Sequence, residues 1–164
     1  MHVQLPNDRK PWRVAARVGL IALLFAATLA GCESKVAESG LPLTKLRLGS
    51  ETFSLEIADN AHARERGLMY RESMPTNHGM IFVFAEDAPR SFYMRNTQIA
   101  LDIIYVNARQ EVVSIKQMQP RDLTTVPSDA PARWAIELNE GTAGRVGVKV
   151  GDKLDIPPTA GGED

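Results

Sequence analysis

Arg95, Asn96 and Thr97 stand in a row between two apolar runs, and a carboxylate, Asp102, follows inside the second run. A guanidinium fork, an amide and a hydroxyl side by side suit a bound carboxylate, phosphate or sugar. The plainer reading is a loop whose side chains bond their own backbone. Asp102 interrupts Leu101-Asp102-Ile103-Ile104-Tyr105-Val106, where neighbours on both alternating faces are apolar. A carboxylate taken out of water without a partner is costly. Arg95, Arg66 and Arg71 are its cationic candidates, and a purely structural pairing that pins the Asn96-Thr97 break is the competing role. Arg95, Asn96, Thr97 and Asp102 thus form the candidate ligand site, with no residue assigned to catalysis.

Other chemistry is thinner. Glu137 could join Asp102 as the second carboxylate of a hydrolase, a pairing that needs about 5–9.5 Å between the groups across an open cleft. Periodicity instead assigns Glu137 to the solvated face of a strand whose other face carries Trp134, Ile136 and Leu138. His62 and His78 do not make a metal site alone, and no cofactor or metal is expected. Ser73, Ser91 and Thr97 lack the Gly-x-Ser-x-Gly context of an activated hydroxyl. Met69, Met74, Met80, Met94 and Met118 are read as core filler rather than as soft metal ligands.

The elements that must position these residues are short. Leu43 to Ile57 predicts a hairpin turning at Gly49-Ser50. Asp59 or Asn60 caps a helix over Ala61 to Arg66, which Gly67 ends. Met80 to Phe84 and Leu101 to Val106 are apolar on both faces and predict central strands. Ser91 to Arg95, Glu111 to Met118 (Val113 and Ile115 inward), Trp134 to Asn139 and Lys153 to Ile156 supply further strands, and Thr142 to Arg145 one or two helical turns. Pro120 to Pro131 is a long loop with three prolines. Many short strands with two short helices predict a mainly β fold, a small antiparallel barrel or curled sheet.

The N-terminal segment has a different character. Arg9, Lys10, Arg13 and Arg17 precede an apolar run from Val18 to Ala30, too short to span a bilayer. That is the form of a secretory signal, and Leu29-Ala30-Gly31-Cys32 looks like a bacterial lipobox. Cys32, the single cysteine, would carry the lipid, which leaves no thiol for a disulfide. Glu33 in place of Asp after it favours sorting to the outer membrane. The expected organisation is a signal peptide over 1–31, lipidated cysteine and tether over 32–42, a folded domain over 43–157 and a disordered tail over 158–164. Formal charge is -1 overall and +3 over residues 1–31, leaving -4 on the remainder, which argues against a nucleic-acid partner.

Arg66-Gly67-Leu68-Met69, Gly79-Met80-Ile81-Phe82-Val83-Phe84, Phe92-Tyr93-Met94-Arg95-Asn96-Thr97, Leu101-Asp102-Ile103, Glu137-Leu138-Asn139-Glu140-Gly141 and Val150-Gly151-Asp152 together resemble the DUF192 family, in family order. The resemblance covers Leu46 to about Ile156. The family's Trp-Met-Lys-Asn-Thr segment stands here as Tyr93-Met94-Arg95-Asn96-Thr97, and its proline before Leu-Asp is Ala100. The resemblance implies a small, mostly β domain, often exported, with no settled activity.

The expectation is a lipid-anchored, periplasm-facing binding or envelope-accessory module. Its partners would be the membrane, through the N-terminal lipid, and a small-molecule, glycan or envelope-protein ligand. The alternative is a hydrolase of an envelope polymer using Asp102 and Glu137.

Overall fold

A computed structural model describes residue 37 and residues 39–160; the predicted signal segment, Cys32 and most of the tether lie outside the described residues. Eight strands and two short helices follow one another along the chain. They are β1 (Leu43–Leu48), β2 (Glu51–Ala58), α1 (Ala61–Arg66), β3 (His78–Ala88), β4 (Ser91–Phe92), β5 (Leu101–Val106), β6 (Val112–Met118), β7 (Val126–Pro127), β8 (Ala132–Asn139) and α2 (Thr142–Val146).

The hairpin turns where the sequence places it, with Leu46 opposite Phe53 and Leu48 opposite Glu51. The α1 cap is also as read: the Asn60 side chain accepts from the Ala63 amide at 2.9 Å. Gly67 ends that helix at φ 46, ψ -135, outside the left-handed helical region but still at a positive φ that favours glycine.

The fold is mainly β, but the sheet neither closes nor is wholly antiparallel. Six strands lie in the order β1-β2-β3-β8-β5-β6, so β1 and β6 are outer strands and no barrel forms. Strands β2 and β3 pair in parallel. The chain between them carries α1 across one face, so β3 re-enters in the direction of β2 instead of doubling back beside it. A second, two-stranded sheet pairs β4 with β7, which puts a strand inside the segment expected to be a plain loop.

Both faces of the large sheet are covered. On one, Ile81, Ile104, Ile136 and Leu138 pack under α2 and the C-terminal residues Val148, Leu154 and Ile156. On the other, Met80, Phe82, Ile103 and Tyr105 pack under α1 and under Met94, Phe92 and Val126. This double cover explains why Met80 to Phe84 in β3, and β5 apart from Asp102, are apolar on both faces. Met74, Met80, Met94 and Met118 fill the second core, as expected of methionine at irregular packing positions.

Three local expectations change. A register shift near Tyr105 and Val106 puts Val112 opposite Val106 and Ser114 opposite Tyr105. Val113 and Ile115 are therefore half-buried, each against a different core. The predicted final strand is reduced to one bridge, Glu111 with Lys153. The segment read as a frayed end begins with a 3-10 turn, Pro158–Ala160, whose Ala160 carbonyl accepts from Trp134 Nε1 at 2.8 Å. The remaining residues of that end, 161–164, lie outside the described residues.

Glycine is required at the hairpin turn, where a Cβ on Gly49 would lie 2.0 Å from the Val146 carbonyl oxygen, and again at position 79. A Cβ on Gly79 would lie 2.4 Å from the Glu137 carbonyl oxygen and 2.7 Å from Leu138 Cδ2. Strands β3 and β8 reach their spacing at Glu137 because position 79 has no side chain.

Candidate functional site

Register decides which side chains can meet. In the β5–β8 ladder Asp102 stands opposite Leu138, and Ile103 stands opposite Glu137. Successive side chains point to opposite faces. Asp102 therefore lies on the α2 face and Glu137 on the α1 face, and the carboxylate pair of the hydrolase alternative is not assembled across a cleft.

Among the described residues Asp102 has no cationic partner. It is buried, and its two oxygens accept from the backbone amides of Gly141 at 3.0 Å and Ala143 at 2.8 Å. It caps the entry to α2, whose own N-cap residue, Gly141, has no side chain to do so. The chain segment it pins is thus Gly141 to Ala143 rather than Asn96-Thr97. Arg71, one candidate partner, is committed elsewhere: its guanidinium grips buried Glu56 with both ends, at 2.6 and 2.7 Å.

The polar triplet divides. Arg95 is half exposed and only loosely paired with Glu65, at 3.8 Å. Asn96 adopts φ 57, and its backbone carbonyl and side-chain amide both engage Tyr70, itself at φ 66. Two left-handed residues on separate loops are thereby fastened to each other. Thr97 alone turns inward. It is buried and lines a cleft of about 370 Å³.

That cleft is where chemistry collects. The end of α1 gives Arg66 and Leu68, β3 gives Phe82 and Phe84, β4 gives Phe92, and β8 gives Glu137. Phe82 meets Phe92 edge to face at 4.9 Å, and Phe92 meets Tyr105 at 5.9 Å, which makes an aromatic wall. Gly67 turns the chain at the helix end against that wall, at a positive φ that favours glycine.

Two guanidinium groups lie over the Phe84 ring, Arg90 at 3.9 Å and Arg64 at 5.4 Å from its centre. Their N–H groups are spent on backbone carbonyls: Arg64 on Val83 and Asp59, Arg90 on Ala132 and Glu86. They give the cleft positive potential, each held in place by two of its five N–H groups. Arg66 is exposed at the rim and makes no ion pair among the described residues.

Glu137 corrects the periodicity reading. It is 5% exposed rather than solvated, because the face that should be open is roofed by α1 and the segments around β4 and β7. Its carboxyl has no hydrogen-bond partner among the described residues, although it borders the cleft. Burial pushes its pKa up from 4.5 to about 8, against a smaller downward pull from the Arg71 charge. At neutral pH the group keeps its proton and is both a donor and an acceptor.

A larger depression, about 610 Å³, opens on the other side of α1 beside Arg71, His62 and His78. Its buried carboxylate is already satisfied, since Glu56 holds Arg71 and accepts from Ser39 Oγ at 2.5 Å. Among the described residues no group of three or more His, Cys, Asp or Glu side chains is placed to hold a metal ion.

Comparison with known proteins agrees with this architecture. The family model DUF192, described as an uncharacterized ACR, matches residues 44–156. A UPF0127 protein of Pyrococcus furiosus is 30% identical over 108 residues, covering 63% of this chain and 86% of that protein. A UPF0127 protein of Thermococcus sibiricus is 27% identical over 106 residues, and the match spans 66% of its length, just under two thirds. A crystal structure of a protein of unknown function from Novosphingobium aromaticivorans is 34% identical, with TM-score 0.68, covering 74% of this chain and 91% of that one.

Proposed function

This chain belongs to the DUF192 family, and from that premise we propose that it is a non-catalytic binding module, tethered by lipid on Cys32 to a bacterial envelope membrane. Its domain would face the periplasm, on the outer membrane by the sorting preference of Glu33, and take a small ligand in the cleft beneath α1.

The observation that supports the reading is Glu137. A buried carboxyl with no hydrogen-bond partner among the described residues, at the wall of a cleft lined by aromatic rings, is a binding group without an internal occupant. Among the described residues Arg133 Nε is the wholly buried side-chain polar atom left without a hydrogen bond; the Glu137 carboxyl is not in that state and is reachable from the cleft it lines. The cleft volume of about 370 Å³ lies in the range of small-molecule sites, as does its mix of apolar wall and few polar groups. The ligand site therefore moves from the expected set to Thr97, Glu137 and Arg66, with Arg95 and Asn96 outside the cleft lining.

A hydrolase built on Asp102 and Glu137 has no support in this arrangement, because the two carboxyls stand on opposite faces.

A thermal-shift screen of envelope sugars, peptides and carboxylates, followed by amide chemical-shift mapping of each hit, tests the binding reading. The amides of Gly67, Leu68, Phe92, Thr97 and Glu137 are expected to move. Hits that perturb only the α2 face, or a screen with none, count against it.

Anchoring is tested separately. Cys32→Ser is expected to abolish labelling by a palmitate analogue and to leave an uncleaved or soluble product. Membrane retention with normal maturation of that variant rejects the lipid tether.

A further inference from the structure

Resting on the reading of the cleft as a ligand site, we infer that its ligand is a small organic anion with an apolar body, whose charge meets Arg66 at the rim and whose acceptor oxygen receives a hydrogen bond from the carboxyl of Glu137.

Four observations converge on that class. The fixed charges of the cleft lining are unbalanced: Arg64, Arg66 and Arg90 are cationic and Glu65 is the one opposing carboxylate, while Glu137 is held neutral. A cationic ligand would have to enter past three guanidinium groups. Second, Arg66 is the one of the three with all of its N–H groups uncommitted among the described residues, and it is exposed at the rim, where an anion arrives first. Third, the interior is apolar: Phe82, Phe92 and Leu68 give a surface for a ring or a short acyl chain. Fourth, Glu137 borders this apolar space and its carboxyl makes no hydrogen bond among the described residues, so its proton is available to a ligand oxygen.

The proton matters to the binding. Around Glu137 the charged and titratable groups are Arg64, Glu65 and Arg66 from α1 and Arg71 just beyond it. Arg90 and Tyr93 face it from the segment after β3, and Tyr105 from β5. Arg71 is bound to Glu56, and burial with the nearby carboxylates holds Tyr105 protonated, its O–H donating to the Val126 carbonyl at 2.5 Å. Once Glu137 ionises it repels an anion and loses its donor, so affinity falls as pH rises past about 8.

Octanoate and benzoate serve as anion probes, and octylammonium as the cationic counterpart, measured by calorimetry against the folded domain at pH 6 and pH 9. Octanoate or benzoate is expected to bind at least fivefold more weakly at pH 9. Arg66→Ala is expected to weaken binding at pH 6 by a similar factor. Glu137→Gln, which retains an N–H donor and does not titrate, is expected to show equal affinity at the two pH values. Octylammonium binding that strengthens with pH, with neither anion bound, overturns the anion assignment and leaves the cleft a binding site. Anion binding with no pH dependence, or with none lost in Arg66→Ala, also overturns it. Failure of all three probes together with an empty screen overturns the binding reading itself.

Discussion

Glu137→Gln is expected to make the protein more stable at neutral pH, by on the order of 3 kcal/mol, and to change little in acid. The argument is proton linkage. In the unfolded chain the carboxyl ionises near its ordinary value of 4.5, whereas in the folded chain burial delays ionisation to about 8. Below 4.5 both states hold the proton and the group contributes no difference. As pH rises from 4.5 towards 8 the unfolded state loses its proton and gains hydration, and the folded state does not follow. Folding therefore loses about 1.4 kcal/mol per pH unit across that window, and the loss levels off above it. Glutamine removes the titration. Urea denaturation of both proteins between pH 4 and pH 9 should show curves that meet in acid and diverge steadily to about pH 8. Parallel curves would show that Glu137 titrates normally and is not buried as described. A residue that reduces stability where the protein works is the pattern expected of a binding group.

The opposite sign is expected on the other face. Asp102→Ala should cost roughly 2–4 kcal/mol, because it leaves the buried amide of Ala143 and the part-buried amide of Gly141 without an acceptor at the start of α2. Asp102→Asn keeps one acceptor oxygen and should cost about half as much. Because α2 closes the first core over Ala143 and Val146, the loss should appear in the whole unfolding transition rather than as local fraying. Binding of any cleft ligand should survive in the folded fraction. A midpoint in urea unchanged from wild type would remove Asp102 from its structural role.

These two carboxylates also mark how far the sequence could be read. The hairpin, the capped α1 and the two central strands were legible because each is specified by neighbours within a few residues. The parallel pairing of β2 with β3 was not, since the strand that lies beside β2 depends on where α1 carries the chain. Asp102 was correctly singled out by its apolar surroundings, but its partner comes from a backbone turn 39 positions away, and backbone amides leave no mark in composition. Glu137 was misread because alternation along β8 distinguishes one face from the other without saying that both are covered. Its cover comes from the segments around β4 and β7, distant in sequence. One signal was present: a strand seated between two runs that are apolar on both faces inherits two dry faces. Of the expected ligand set only Thr97 reaches the cleft, because the turn at Asn96 swings Arg95 and Asn96 outward.

Among the described residues the open sheet has two outer strands, β1 and β6, and β6 is covered at one end by the bridge from Glu111 to Lys153. Such edges can recruit a strand from another molecule, and crowding at a surface would increase the encounters. The chain blunts both. Strand β1 spans six residues and presents exposed Lys45 and Arg47. Strand β6 is bent by its irregular register and carries Lys116 and exposed Gln117. A second copy aligning its own β1 here would set like charges side by side. The same openness that denies this fold a barrel's closure is thus kept from becoming a route to fibrous self-association.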